Sequence, residues 1–264
     1  MQKPKHIILL GASVGKAWNI EFLPDRLNRL NSSNPINPSN PTNPTNPSNP
    51  SNPSNPGDGE SQVARAQGVD EIDLINRSNA INPSNPINQY RFQYVGKYEF
   101  DKTDALRDIL ERKENKPDAI IIKECAAYFP GDFPNYQALI KNWVIQCRRA
   151  GVAPILATVV PVIRDRSLKM KVKDLIKKLI GRPTSESRFE SRLAAIIEYN
   201  DWIKSFAQKE GLTVLDLETP LHVSDEDRSL RPDLHSGDGL HLNAKAYALL
   251  DRIVIPTIEP IFSK

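Results

Sequence analysis

The chain has 264 residues, 39% of them apolar, and a formal net charge of +3. That is enough for one large α/β domain or two small ones, and too little charge to point to nucleic acid as a partner. Two cysteines, Cys125 and Cys147, exclude a disulfide framework, and neither has metal-ligand spacing.

In chain order, "MQKPKHIILLGASVG" starts basic, but its unbroken strongly apolar run is only Ile7 to Leu10. That is shorter than the core of a signal peptide, and no other segment reads as a membrane span, so the expectation is a soluble, cytoplasmic protein. "HIILL" reads as a short buried strand, followed by mixed helical character in "SVGKAWNIEFLPDRLNRL". From Asn31 to Pro56, Asn-Pro recurs every third residue, with a shorter copy at Asn79 to Asn88; ten of the 22 prolines sit in these two tracts. Each proline removes a backbone donor and pushes the preceding asparagine out of helical geometry. Little there is apolar enough to offset the entropy of ordering it. Residues 31–88 therefore read as an exposed low-complexity insertion, expected to be largely disordered, within one domain spanning 1–264.

Beyond it, strand and helix patterns alternate. "YRFQYVG" is a second strand, and "KTDALRDILERKENK" an amphipathic helix with Ala105, Leu106, Ile109 and Leu110 on one side. "DAIIIKE" is a third strand, and "YQALIKNWVIQCRRAG" a helix with basic residues and glycine at its end. "APILATVVP" is a fourth strand, "SRLAAIIEYNDWIKSFAQKEG" a long helix and "LTVLDL" a fifth strand. "AKAYALLDRIVIPTIEPIF" reads as a closing helix broken near its end by prolines. Before the long helix, "SLKMKVKDLIKKLIGRP" sorts apolar residues to one helical face and lysines elsewhere, a covering helix more readily than a lid. Buried strands alternating with helices predict a three-layer α/β/α sandwich of about five parallel strands, with its site at their carboxyl ends. Ser13, just past the first strand, falls there.

"GASVGK" is not a P-loop, because Leu10 stands where the first glycine belongs and Ala17 where Ser or Thr belongs. A dinucleotide fingerprint fails as well, lacking its third glycine. A nucleophilic serine needs a histidine base and a carboxylate to orient it. Of the four histidines, His6 opens a buried strand, and His222 and His235 lie in a polar loop. His241 follows Asp238 by three residues in "DGLHLN", just ahead of the last helix, a spacing that lets carboxylate and imidazole meet within one turn. Taken alone, the same residues read equally well as a turn and a helix start.

Together, Gly11-Ala12-Ser13 and "DGLHLNAKAYALL" resemble the first and last blocks of the SGNH (GDSL-type) hydrolase family. Alanine replaces the usual aspartate of Gly-Asp-Ser. "EYNDWIKSFAQKEGLTVLDL" is similar to the family's penultimate helix and strand. The resemblance implies a flavodoxin-like sandwich that hydrolyses esters, or transfers acyl groups, through an acyl-serine, with no cofactor and no metal. Carried over, Ser13 is the nucleophile, His241 the general base and Asp238 its orienting carboxylate. The Ser13 amide is one oxyanion donor, and Gly96, closing "FQYVG", is the second donor or a plain strand-ending glycine. The family's Gly-x-Asn-Asp after the third strand is missing; the chain has "KECAAYFPGD" instead. Glu124 is then expected to turn to a substrate hydroxyl or to Lys123, or the amides of Cys125 and Ala126 to substitute for the asparagine. The partner expected is a small ester or acylated substrate. The altered third block leaves open a catalytically weak protein that binds a carbohydrate or acylated ligand.

Overall fold

A computed structural model describes residues 3–32, 87–164, 184–237 and 241–263. Most of the Asn-Pro segment, the basic segment at 167–183 and Asp238 lie outside the described residues. The strands are β1 (Lys5–Gly11), β2 (Tyr90–Gly96), β3 (Ala119–Lys123), β4 (Ala153–Ala157) and β5 (Thr213–Leu215). The helices are α1 (Ser13–Trp18), α2 (Leu23–Ser32), α3 (Thr103–Leu110), α4 (Phe133–Arg149), α5 (Ser185–Glu210) and α6 (Ala244–Phe262). All strand pairs are parallel and the order is β2-β1-β3-β4-β5, the flavodoxin-like arrangement.

The three layers follow from the two-residue period of a strand. In β1, Ile7 and Leu9 pack on one face with Trp18, Leu23 and Leu27, and with Leu250, Val254 and Ile258 of α6. Ile8 and Leu10 pack on the other with Leu106 and Ile109 of α3, Trp143 of α4, and Ile196 and Ile203 of α5. β1 and β3 are buried on both sides, which is why they read as apolar runs, whereas the edge strand β2 begins with buried and exposed residues in alternation. Fully burying one such Ile or Leu stabilises by about 1.5–3 kcal/mol. Among the described residues no helix is long and apolar enough to cross a membrane.

Helix ends follow local chemistry. Asp132 caps α4 by accepting from the Asn135 amide at 3.1 Å, and Thr184 caps α5 by accepting from Ser187 at 3.1 Å. Gly211 ends α5 in the left-handed region at φ 63°.

The mixed helical character of "SVGKAWNIEFLPDRLNRL" resolves into two helices: Asn19 turns left-handed (φ 49°) after α1, and a short 3-10 turn leads into α2. The corner is held by Asp251 of α6, which accepts from Trp18 Nε1 at 2.8 Å and from Arg26 at 2.6 and 2.8 Å. Two readings of the sequence need correction, at the closing helix and at the margins of the 31–88 segment. The closing helix is not broken at its prolines; it runs through Pro256 and Pro260. Its buried face (Val254, Ile255, Ile258) holds it in register, and the Thr257 and Ser263 hydroxyls donate to the Ile253 and Glu259 carbonyls at 2.6 and 2.9 Å. Finally, the margins of the 31–88 segment are structural: α2 continues to Ser32, and Ile87 is part of the core. Asn28 donates to Asn88 at 2.8 Å, so the flanks of the segment meet.

Candidate active site

The winding of the sheet reverses at β1, and the crevice between the carboxyl ends of β1 and β3 is where such folds bind ligands. A cavity of about 540 Å³ opens there, a size suited to a small molecule. Ser13, Cys125, Ala126, His235 and His241 all border it.

Ser13 is the first residue of α1, so its amide has no acceptor within that helix. Ala12 precedes it in extended conformation and offers no side-chain cap; its carbonyl accepts from Lys16 N at 3.2 Å. Tyr94 of β2 braces the turn from below. Its hydroxyl donates toward the carbonyls of Gly11 (3.2 Å) and Ala12 (3.0 Å). This explains the second glycine of "GASVG". A Cβ on Gly15 would lie 3.0 Å from the Tyr94 ring, and one on Gly96 would lie 3.1 Å from its hydroxyl. Gly96 pairs with Gly11 across the β1–β2 ladder but does not border the cavity.

The histidine side is built by backbone pairing. His235 and Leu242 form an antiparallel bridge, and Ser236 N donates to the His241 carbonyl at 2.9 Å. Asn243 locks this corner to α6: its Oδ1 accepts from Ala246 N at 3.1 Å. Its Nδ2 donates to the carbonyls of Asp233 and His235 at 2.8 and 3.3 Å. The asparagine of "HLN" is thus both helix cap and loop staple. Sequence reasoning passed over His235, whose place on the cavity depends on this folding-back. Its Nδ1 accepts from Gly237 N at 3.1 Å, which leaves Nε2 as the protonated nitrogen of the neutral ring. In that tautomer His235 is suited to donate a hydrogen bond from Nε2.

The end of β3 departs from expectation. Glu124 is fully buried and reaches neither substrate space nor the Lys123 ammonium. It pairs with Lys102 at 2.5 Å, and Lys102 is itself fully buried and also donates to the carbonyls of Glu99 and Phe100, both at 3.1 Å. The rings of Phe100, Tyr128 and Trp143 surround the ammonium at 5.3–5.8 Å. Burial pushes the Glu124 carboxyl up to about 7, against the pull of Lys102. Its Oε1 has no hydrogen-bond partner among the described residues. Lys123 is buried too, its ammonium pushed down to about 8 by desolvation and donating to the Glu124 carbonyl at 2.9 Å. That carbonyl belongs to the peptide unit whose N–H is Cys125, so the ammonium polarises this amide and makes it a better donor. Lys102 carried no signal in the sequence, where "YEFDKTDAL" reads as an ordinary helix start.

Cys125 and Ala126 border the cavity. The remaining walls are apolar, with Val14, Val160, Val162, Ile163 and Leu230, and α5 contributes Arg188, Phe189 and Arg192. The end of β4 is held by Asn200, which donates to the Val159 carbonyl at 3.0 Å and accepts from its amide at 2.7 Å. Among the described residues no group of three or more His, Cys, Asp or Glu is arranged to hold a metal ion.

The fold is that of the SGNH or GDSL-like hydrolases. A GDSL-like lipase from Bacteroides thetaiotaomicron superposes with a TM-score of 0.54 at 12% identity, covering 99% of this chain and 93% of that one. A candidate acylhydrolase from Bacteroides fragilis gives 0.55 at 13% identity, over 98% and 91%. A candidate SGNH hydrolase from Slackia heliotrinireducens gives 0.52 at 13%, over 97% and 100%. At this identity the likeness is one of fold. No protein-family model matches the chain, and no curated protein matches it in sequence.

Proposed function

We propose that this protein is a serine-dependent carboxylic-ester hydrolase, with Ser13 as nucleophile, His241 as general base and Asp238 as the carboxylate that orients it. The observation that carries the reading is that Ser13 and His241, distant in sequence, border one cavity at the carboxyl ends of the strands. The lipase and hydrolase names of the fold's relatives agree with it.

In this reading His241 accepts the Ser13 hydroxyl proton as Oγ attacks the ester carbonyl, and the tetrahedral oxyanion forms. Collapse breaks the bond to the alcohol, which leaves with the proton from His241, and the acyl group stays on Ser13. Water attacks the acyl-serine by the same route and releases the acid; an alcohol in its place makes the reaction acyl transfer. The oxyanion is met by the Ser13 amide and by the amides of Cys125 and Ala126. With Glu124 ionised the buried pair Lys102–Glu124 is electrically balanced, so Lys123 leaves net positive charge under that turn, the sign that stabilises an oxyanion. This offsets part of the roughly 10²–10³-fold cost of a missing side-chain donor.

A second reading, a catalytically weak binder of a carbohydrate or acylated ligand, is favoured by one observation. Among the described residues, the cavity has no asparagine side chain on its wall. A fluorophosphonate probe separates the two. Rapid labelling, abolished by Ser13→Ala, supports the hydrolase; wild-type protein that does not label supports the binder.

A further inference from the structure

The Ser13 cavity has a charged wall that ester hydrolysis as such does not need. Arg188 and Arg192 border it from α5, one helical turn apart and therefore neighbours on the same face. None of the described lining residues is an Asp or Glu. Arg192 is anchored, its Nε donating to the Phe129 carbonyl at 3.0 Å. Arg188 is exposed, and among the described residues no carboxylate pairs with it. Arg164 shows the contrast: it pairs with Glu190 at 3.2 Å, stacks on Phe189 and stays off the cavity lining. Two guanidinium groups one turn apart repel each other, and an anion between them removes that repulsion. The other walls, Val14, Val160, Pro161, Val162, Ile163 and Leu230, match an apolar body.

We propose that Arg188, backed by Arg192, is a specificity-determining carboxylate site, so that the favoured substrate is an ester with an apolar chain and a free carboxylate at its far end, such as the half-ester of a dicarboxylic acid. A carboxylate is the natural partner because the planar guanidinium fork of Arg188, which no carboxylate among the described residues occupies, matches the two oxygens of one carboxylate. The chemistry of turnover rests on the Ser13 reading above; the anion site does not.

The test compares kcat/KM for mono(para-nitrophenyl) glutarate with that for para-nitrophenyl pentanoate, which releases the same phenol and lacks the charge. Wild type should favour the charged ester by about tenfold or more. Arg188→Gln should lower that ratio by about tenfold, Arg188→Glu should invert it, and added salt should erode it. Because the ratio is internal, a general loss of active protein does not move it. A ratio that is the same in wild type and both variants overturns the carboxylate site while leaving the hydrolase intact. If wild type hydrolyses neither ester, the Ser13 reading fails, and calorimetry decides the anion site by itself. Tighter binding of monoethyl than of diethyl glutarate, lost in Arg188→Gln, upholds it; equal binding, or none, overturns it.

Discussion

The turns after β1 and after β3 flank the same cavity and are held in place by opposite means. After β1 the support is small and neutral: Gly15 and Gly96 leave room for Tyr94, whose hydroxyl is aimed at the carbonyls of Gly11 and Ala12. After β3 it is large and charged: Lys102, Lys123 and Glu124, all out of water, stiffen the chain leading to Cys125. The first arrangement depends on fit and forgives little change in volume. The second depends on charge balance, and removing either partner leaves an uncompensated buried ion. In the proposed reaction the first turn carries the nucleophile and the second shapes the oxyanion's surroundings.

The sharpest way to break this contrast is to remove the chemistry from the first turn. Ser13→Ala and His241→Ala should each cut turnover by about 10⁴-fold or more, and the double variant should be little worse than either single one. Thermal melts should stay close to wild type, because neither residue belongs to the core. His235→Ala should cost far less, since its Nδ1 already accepts from Gly237. Collapse of turnover in His235→Ala, with turnover retained in His241→Ala, would exchange the two roles.

The next effect belongs to the second turn. Lys102→Met leaves Glu124 buried without its cation and should destabilise by about 3–5 kcal/mol near neutral pH, read from denaturant unfolding. The pH dependence has a definite sign. The Glu124 carboxyl is raised from 4.5 to about 7 in the folded protein, so stability from its protonated form is complete below about 4.5 and is lost as pH rises through 7. Without Lys102 that value rises further. The penalty of Lys102→Met should therefore shrink toward pH 5, where Glu124 takes up a proton, and grow toward pH 8. The double change Lys102→Met, Glu124→Leu should recover most of the loss. A penalty that does not change with pH would show that packing around Lys102, and not charge, holds this turn.

The smallest effect tests the fit of the first turn. Gly15→Ala should destabilise by about 1–2 kcal/mol, because the new methyl meets the Tyr94 ring. In a Tyr94→Ala background the same substitution should be neutral or stabilising, since alanine is better than glycine in a helix by about 1 kcal/mol. If the two changes add, Tyr94 is not the reason for the glycine.

The sequence by itself determined the layers. Apolar runs of strand length separated by amphipathic stretches already imply a parallel sheet covered on both faces, because such strands cannot meet water on either side. It also placed Ser13 at a strand end and His241 beside the last helix, since short motifs keep strand-to-turn and turn-to-helix geometry within a few residues. Tertiary structure decided what depends on residues far apart in the chain. The partnership of Lys102 with Glu124 joins the start of α3 to the end of β3, and nothing local to either residue announces it. His235 reaches the cavity only because Asn243 folds its loop back onto α6. The last helix continues through two prolines because its buried side chains hold it in place, where local propensity alone calls for a break. Propensity and pattern act over a few residues, whereas burial, charge pairing and the walls of a cavity are properties of the assembled sheet.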